Sequence, residues 1–463
     1  MASMRPQDII PHDLLASIER QTGARLSAIV PRAGGGASRQ GAEVTLQAPD
    51  GSETRAWLAW DSRAADPRRL PYFTRETAVL RALSGPMAHS GVRAARLLAA
   101  EPAHLALLTA LVPGSDRPPS DPVEADAVAR DMVAQLAALH RTPVAGLGLD
   151  GFGDPAVPVS RRIADRLATL RAENLATAPD PVIQLALDWL QANVPADTGP
   201  AVLVHGDAGP GNFLHAGGRV TALVDWELSH FGDPLEDLAQ IWVRMLFQPF
   251  MPMCDLFRAY EAAGGAPVDV YRVRYHRLYF QLGFTVSGHA DHCGATTVRP
   301  ANLGVSMMFH TAHMRVIVES LADLCDVALP TVALPDALPG PADRSFAIAL
   351  DDLRDVITPR LSDQQAAVKA KSLARLVKYW RARDRFGAAF DAAEAAEAAE
   401  ALGRPIASAT EARRELGLAV AQGRIPFERA LRLCHARVTR DTAVMADAMG
   451  AFARTTFPPL DPA

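Results

Sequence analysis

The sequence predicts an α+β protein with a bilobal fold, in which a small mixed β-sheet lobe precedes a mainly helical large lobe and a C-terminal all-helical module. Three observations support this prediction. Early residues alternate short apolar runs with turn residues, as strands do. Helical periodicity dominates the middle of the chain, and a proline-rich stretch then marks a linker. The predicted segments are 1–112 (small lobe), 113–328 (large lobe), 329–342 (linker) and 343–463 (helical module).

Composition excludes several classes of function. The chain of 463 residues is 49% hydrophobic but has no apolar run long enough to cross a bilayer. Its N-terminus lacks the apolar segment of a signal peptide, and its four cysteines form no Cys-x-x-Cys pair. We therefore expect a cytoplasmic protein. The net charge of −5 comes without a basic tract, so neither nucleic acid nor a membrane is an expected partner.

The small lobe is predicted to contain a helix and a strand hairpin. The helix spans residues 11–22, and the strands span 26–31, 43–47 and 55–60. A glycine-rich turn with Gly34, Gly35, Gly36 and Ser38 joins the first two strands. Such a turn can close its backbone amides over phosphates, although most glycine triplets are plain flexible turns. An amphipathic helix at 73–83 and a strand at 105–112 complete the lobe.

Polar residues follow two short apolar strands in the large lobe. His205, Gly206 and Asp207 end the first strand, Asn212 lies five positions after Asp207, and Asp225 ends the second strand. Phosphoryl transfer to a hydroxyl requires this order of side chains. The first Asp accepts the hydroxyl proton, while the Asn and the second Asp offer oxygen ligands to Mg²⁺. The alternative is a chance run of turn residues, since Gly-Asp is common in turns.

These residues resemble the catalytic loop of the aminoglycoside phosphotransferase and choline kinase superfamily. Residues 232–237 also match the family. The resemblance implies a protein-kinase-like fold with ATP and Mg²⁺ as cofactors. It also implies that Asp207 is the catalytic base, that His205 braces the catalytic loop, and that Asn212 and Asp225 bind metal.

The resemblance further implies nucleotide contacts in the small lobe. The glycine-rich turn would cover the phosphates, Glu76 would pair with a strand lysine, and backbone groups of Thr109 and Leu111 would meet the adenine. The competing interpretations are that Glu76 is only a solvated helix residue and that Thr109 and Leu111 belong to an ordinary core strand. The position of the family's strand lysine aligns with Trp60 of this sequence.

That lysine is missing. Of the 47 lysine and arginine residues only three are lysines, and all three lie near the C-terminus, at Lys369, Lys371 and Lys378. Either Arg63, Arg55 or Arg39 supplies the cation, or the nucleotide is held mainly by loop amides and metal. Arginine can bind phosphate with two nitrogens but is bulkier than lysine.

The expected substrate is a hydroxyl group on a small molecule. The sequence most resembles the branch that includes kinase domains associated with acyl-CoA dehydrogenases, which implies a hydroxyacyl-CoA acceptor. On a predicted helix, Arg272, Arg274 and Arg277 lie beside the Tyr271, Tyr275 and Tyr279 face and would suit an anionic acceptor, although core aromatics with a solvated edge also explain this pattern. An aminoglycoside-type antibiotic kinase is the second enzyme hypothesis.

Two hypotheses belong to other classes. The missing lysine is compatible with a nucleotide-binding pseudokinase or scaffold. A zinc hydrolase is disfavoured, because the spacing of its candidate ligands matches no established metal site. These candidates are His289, Asp291, His292 and Cys293, with His310 and His313 nearby in sequence. The C-terminal module resembles a helical domain of unknown function, with capping boxes at 362–365 and 408–411. Packing against the preceding lobe or homodimerisation are the roles we expect for it.

Overall fold

The computed structural model describes residues 5–6, 9–32, 39–61, 64, 66–149, 151–293, 302–336 and 338–460. Their contacts divide the chain into two compact units. The first unit comprises Met1–Val159, Asp197–Val273 and Phe457–Ala463, and the second comprises Ser160–Ala196 and Arg274–Thr456. The segment boundaries predicted from the sequence stay predictions.

The described residues of the first unit form nine strands. They are β1 (Arg25–Arg32), β2 (Gln40–Gln47), β3 (Glu53–Trp60), β4 (Leu97–Glu101), β5 (Ala106–Ala110), β6 (Val202–Val204), β7 (Phe213–Ala216), β8 (Arg219–Leu223) and β9 (His230–Gly232). The first five form an antiparallel sheet in the order β1-β2-β3-β5-β4. Strands β6 and β9 pair with each other, and β7 and β8 form a second small antiparallel pair.

The helices of the described residues follow the chain in order. They are α1 (His12–Thr22), α2 (Leu70–Ser84), α3 (Pro122–Arg141), α4 (Val159–Thr177), α5 (Pro181–Ala192), α6 (Leu235–Arg244), α7 (Met253–Ala262), α8 (Val270–His292), α9 (Leu303–Leu324), α10 (Asp343–Asp351), α11 (Gln364–Leu402), α12 (Ala409–Ala421) and α13 (Phe427–Met449). Among the residues so described, no helix is long and apolar enough to cross a membrane.

Alternating burial along the strands gives the five-stranded sheet one apolar face. Val44, Ala56 and Leu58 are almost fully buried, and they pack with Leu14 of α1 in one core. Period-2 alternation in the sequence produces this arrangement because successive side chains point to opposite faces of a strand. In the same unit, α3 packs against β6 and β8, and α2 packs against the short 3-10 turn Trp226–Leu228. These packings place the loops that follow β6 and β8.

The second unit is a helical assembly. Helix α11 packs against α10, α12 and α13, and α13 also packs against α9. A buried ion pair joins Arg437 of α13 to Asp180, the N-cap of α5, with 2.6 Å between Nη1 and Oδ2. Since both side chains are buried, removing either partner would leave an unpaired charge inside the unit.

The predicted α+β class is confirmed, with a small antiparallel sheet and a helical C-terminal region. The cap predicted at Ser408 is also confirmed, because its Oγ accepts a hydrogen bond from the Glu411 amide at 3.1 Å. The cap predicted at Ser362 is wrong. Asp363 caps α11 instead by accepting from the Ala366 amide at 2.6 Å, since α11 begins one residue later than the capping-box pattern predicted.

Candidate active site

The catalytic-loop residues connect β6 to β7. Gly206 has φ +80°, and a Cβ at this position would lie 2.2 Å from the carbonyl oxygen of Leu228. Only glycine therefore fits both the backbone angle and the close approach. At the other end of the loop, the Val224 amide donates to the Asn212 carbonyl at 3.0 Å. This bond brings the end of β8, and hence Asp225, next to Asn212.

A buried carboxylate of α6 holds the start of the loop. Asp237 accepts hydrogen bonds from the amides of His205 and Gly206, each at 2.8 Å. Its Oδ2 also lies 2.9 Å from Nε2 of His140. Burial alone would raise its pKa, but the hydrogen bonds and charge of His140 keep the pKa of Asp237 below its ordinary value. Asp237 thus fixes two consecutive amides of the loop by charged hydrogen bonds.

The ring of His205 links the two strand ends. Its Nε2 lies 3.0 Å from the Val224 carbonyl, and the Asp207 amide donates to its Nδ1 at 3.3 Å. Burial lowers the pKa of His205, which favours the neutral ring that these two contacts require. Because both ring nitrogens contact backbone groups, the structure places His205 as a brace between the Asp207 and Asp225 segments.

The carboxylate of Asp207 receives side-chain hydrogen bonds from both sides. Asn212 Nδ2 donates to it at 2.7 Å, and from α6 Gln240 Nε2 donates at 2.6 Å and Arg244 Nη1 at 2.8 Å. Our sequence analysis missed Gln240 and Arg244. Their spacing from Asp237, three and then four residues along one helix face, was the available signal.

Asp225 lies at a carboxylate-rich point of the site. Its φ of +69° is unusual for a residue other than glycine, and such outliers are concentrated at functional sites. Desolvation, followed by the charges of Glu227, Glu76 and Asp207, raises its pKa to about 7. A bound cation would relieve the repulsion between these charges.

The residues present fit a magnesium site of the kind that nucleotide enzymes use. Asn212 and Asp225 offer an amide and carboxylate oxygens, and Mg²⁺ typically binds one or two such protein ligands together with water and phosphate oxygens. Within the described ranges, no group of three or more His, Cys, Asp and Glu residues could hold a metal by itself.

Arg39 is the candidate cation that the structure places beside Glu76. Its Nη1 forms an ion pair with Glu76, and its Nη2 lies 3.2 Å from Glu227. Although desolvation opposes it, the charges of Glu76 and Glu227 raise the pKa of Arg39. In the sheet, the neighbouring Gln40 pairs with Trp60. Arg39 immediately precedes β2, which is the neighbour of β3, the strand that carries Trp60.

Of the other two candidate cations, Arg55 forms a different ion pair in the structure. Arg55 pairs with Glu43 on the surface, and 64% of its side chain is exposed. Arg63 lies outside the described residues, as do Gly34, Gly35, Gly36 and Ser38. The strands that flank the glycine-rich turn are nevertheless antiparallel neighbours, because Arg32 pairs with Gly41.

Thr109 and Leu111 lie at the end of the small-lobe sheet. Thr109 pairs with Trp57 and Leu97 on its two sides. The Leu111 amide donates to the Arg55 carbonyl at 3.3 Å. This donor is therefore engaged by the sheet, and adenine binding by these backbone groups stays a prediction.

The basic wall expected for an anionic acceptor stays a prediction. Arg272 forms a buried ion pair with Asp233 in the first unit. In the second unit, Arg277 pairs with Asp323 at 3.2 Å, and Tyr275 is fully buried. These arginine charges are compensated by protein carboxylates, so they provide no evidence for an anionic substrate.

A family model supports the same interpretation as this geometry. The model of the phosphotransferase enzyme family matches residues 32–280, which is more than half of the chain. The chain belongs to the phosphotransferase enzyme family. The matched range includes β2, the catalytic loop, Asp225 and α6, whereas α9 to α13 lie beyond it.

Curated relatives match a shorter segment. Acyl-CoA dehydrogenase family member 11 of Rattus norvegicus is 31% identical over 153 residues, which is 33% of this chain and 19% of the relative. The Homo sapiens protein of the same name is 32% identical over 152 residues, 32% of this chain and 19% of the relative. The chain thus matches about a fifth of the length of these proteins.

Solved structures agree on the fold. A crystal structure from Ralstonia eutropha, assigned to the aminoglycoside phosphotransferases, aligns with 68% of this chain and 98% of its own. The TM-score is 0.50 and the sequence identity is 18%. At this identity the similarity shows the protein-kinase-like fold only.

Proposed function

We propose that this protein is a small-molecule kinase that transfers the γ-phosphoryl group of ATP to a hydroxyl group with the help of Mg²⁺. The observation that carries this proposal is the convergence of Asp207, Asn212 and Asp225 at the ends of β6 and β8. This order of side chains is the one that phosphoryl transfer requires. Family membership supports the same reaction class.

Each residue has a defined task in this reaction. Asp207 accepts the proton of the acceptor hydroxyl as the hydroxyl oxygen attacks the γ-phosphorus, the bond to the β-phosphate oxygen breaks and ADP leaves. Asn212 and Asp225 would hold Mg²⁺, which when bound neutralises charge on the phosphate oxygens. His205 and Asp237 hold the backbone of the Asp207 and Asp225 segments in place through their hydrogen bonds. Arg39, oriented by Glu76, is the small-lobe cation beside the phosphates.

We further propose a hydroxyacyl thioester of CoA as the acceptor class. The support is sequence similarity to proteins named acyl-CoA dehydrogenase family member 11 over about a third of this chain. An aminoglycoside-type antibiotic kinase is the alternative, and it is motivated by the shared fold. A polycationic antibiotic requires an acidic acceptor pocket, whereas a CoA thioester requires an accessible cation.

A pseudokinase is the alternative from another class. Its motivation was the absent lysine, and the Arg39–Glu76 pair weakens that motivation because a cation occupies the position. The presence of all three side chains, with Asn212 bonded to Asp207 and the Asn212 carbonyl accepting from the amide of Val224 next to Asp225, also favours an active enzyme. A pseudokinase would bind Mg·ATP without turning it over.

The test is a phosphoryl-transfer assay on a panel of acceptors. Purified protein is incubated with Mg·ATP and hydroxyacyl-CoAs, aminoglycosides or water alone, and ADP and phosphorylated product are measured. We expect phosphorylation of a hydroxyacyl-CoA, and a decrease of about 10² to 10⁴ in rate for Asp207→Asn. The variant should still bind Mg·ADP, as measured by calorimetry.

Three outcomes separate the hypotheses. Product only with aminoglycosides would move the assignment to an antibiotic kinase. Binding of Mg·ATP with no turnover on the whole panel would favour the pseudokinase. Equal turnover by wild type and Asp207→Asn would remove the catalytic base from Asp207, and with it the proposed mechanism.

A further inference from the structure

Arg244, the last residue of α6, lies between the base and a predicted metal ligand. Its Nη1 is 2.8 and 2.9 Å from the two carboxylate oxygens of Asp207. Its Nη2 is 3.2 Å from Oδ1 of Asn212, and its Nε is 2.8 Å from the carbonyl oxygen of Pro210. A single guanidinium thus uses all three nitrogens on the catalytic loop, a geometry that the planar arginine fork permits and a lysine does not.

The loop is shaped to receive this side chain. Gly209 and Gly211 flank Pro210 with φ of +134° and +90°. A Cβ on Gly209 would lie 3.1 Å from Cδ of Arg244, and a Cβ on Gly211 would lie 3.0 Å from its Nη2. The two glycines therefore provide the space that Arg244 occupies.

Gln240 contacts the same carboxylate from one turn earlier on α6. Its Nε2 donates to Oδ1 of Asp207 at 2.6 Å. The carboxylate is consequently held by two donors of one helix and by Asn212 Nδ2 on its other oxygen. This helix also carries Asp237, which holds the loop backbone, so α6 controls both the backbone and the side chain of the base.

We propose that Arg244 is a positioning residue for the phosphoryl-transfer site, which sets the orientation of the Asp207 carboxylate and holds the Asn212 amide oxygen. This inference rests on the proposed function. Without Arg244 the Asp207 carboxylate gains rotational freedom. A smaller fraction of bound acceptor molecules then has its hydroxyl proton within hydrogen-bond distance of this carboxylate. The Asn212 oxygen also loses a hydrogen-bond donor and a nearby positive charge, so it becomes more available to a metal ion.

Two effects in opposite directions follow from this role. In Arg244→Ala, kcat should fall about 10- to 100-fold, as for other residues that orient a reacting group. KM for ATP should stay within a factor of about two, because the nucleotide-binding elements of the small lobe are untouched. Affinity for Mn²⁺ at saturating ADP should rise by about threefold, because a positive charge near the ligands is removed.

The variants are Arg244→Ala and Arg244→Lys, with Arg258→Ala as the matched control. Arg258 lies on α7 with 69% of its side chain exposed and pairs with Asp255. Turnover is measured with the best acceptor or with water as acceptor, and Mn²⁺ binding is measured by electron paramagnetic resonance. Lysine keeps the charge but not the fork, so Arg244→Lys should fold and recover only part of kcat.

The outcomes are distinct. A kcat within about twofold of wild type in Arg244→Ala would overturn the proposal. Full recovery of kcat in Arg244→Lys would also overturn it, as would an unchanged Mn²⁺ affinity in Arg244→Ala. A parallel loss of kcat, nucleotide affinity and thermal stability would assign Arg244 a merely structural role. If the wild type transfers no phosphoryl group to any acceptor, including water, the proposed function fails first and this inference fails with it.

Discussion

Replacement of Arg39 by methionine tests how this protein compensates for the missing lysine. Methionine keeps much of the side-chain length and removes the charge. In the native structure about a tenth of the Arg39 side chain and of the Glu76 side chain is exposed, at 10% and 9%. The substitution therefore leaves a buried carboxylate without its partner, and Glu227 loses one of its cations at the same time.

The expected loss of stability is large. Removal of one partner of a buried ion pair typically costs about 3–5 kcal/mol. For a unit of roughly 240 residues this corresponds to a decrease of roughly 6–20 °C in Tm. Loss of a charged hydrogen bond to phosphate costs about 1.5–3 kcal/mol, so Mg·ATP affinity should fall by about 10- to 150-fold.

Arg55→Met is the matched control. Arg55 is in the adjacent strand and also pairs with a glutamate, but its side chain is 64% exposed. Exposed pairs contribute about 0–1 kcal/mol, so this variant should change Tm and Mg·ATP affinity little. The double variant Arg39→Met/Glu76→Gln should regain stability without regaining affinity, because it removes the unpaired charge but supplies no cation.

The assays are thermal unfolding with and without Mg·ATP, and calorimetric titration of Mg·ATP. Unchanged Tm and affinity in Arg39→Met would refute the assignment of Arg39 to the lysine role. Equal losses in Arg39→Met and Arg55→Met would show that strand integrity, and not the buried ion pair, determines both quantities.

Two further predictions concern the catalytic loop. Gly206→Ala should destabilise the protein by more than about 2 kcal/mol and abolish turnover, because its Cβ would meet the Leu228 carbonyl at 2.2 Å. Gly217 has φ +56°, and a Cβ added there would meet no neighbouring atom within 4 Å, so Gly217→Ala isolates the cost of the backbone angle alone. Similar losses of stability in both variants would contradict the steric explanation. Asp225, with its pKa raised to about 7, is protonated below that pH and ionised above it. Since a metal binds the ionised form, apparent Mg²⁺ affinity at about pH 6 should be about tenfold lower than at about pH 8, and equal affinities in metal titrations at the two pH values would contradict this.

The sequence alone was sufficient to predict the fold class, which the structure confirms, and to select the candidate catalytic residues. The period-2 pattern of strands and the 3.6-residue pattern of helices give these elements their buried faces. Both patterns can be recognised from residues that are close together in the chain. Asp207, Asn212 and Asp225 were predicted because each follows an apolar strand at a fixed spacing. Gly206 belongs to this group, since its positive φ is a local property of the turn.

Only the tertiary structure showed which side chains meet across the chain. Arg39, Glu76 and Glu227 are far apart in sequence, and three arginines were equally good candidates until the sheet register placed one beside Glu76. Arg244 reaches Asp207 over 37 positions, and Arg272 has its charge compensated by a buried Asp233. Long-range pairs of charges carry no periodic signal, whereas strand ends and loop spacings do. The sequence therefore determined which residues are proposed as the base and the metal ligands, and the packing of α2, β2 and α6 decided which cations surround them.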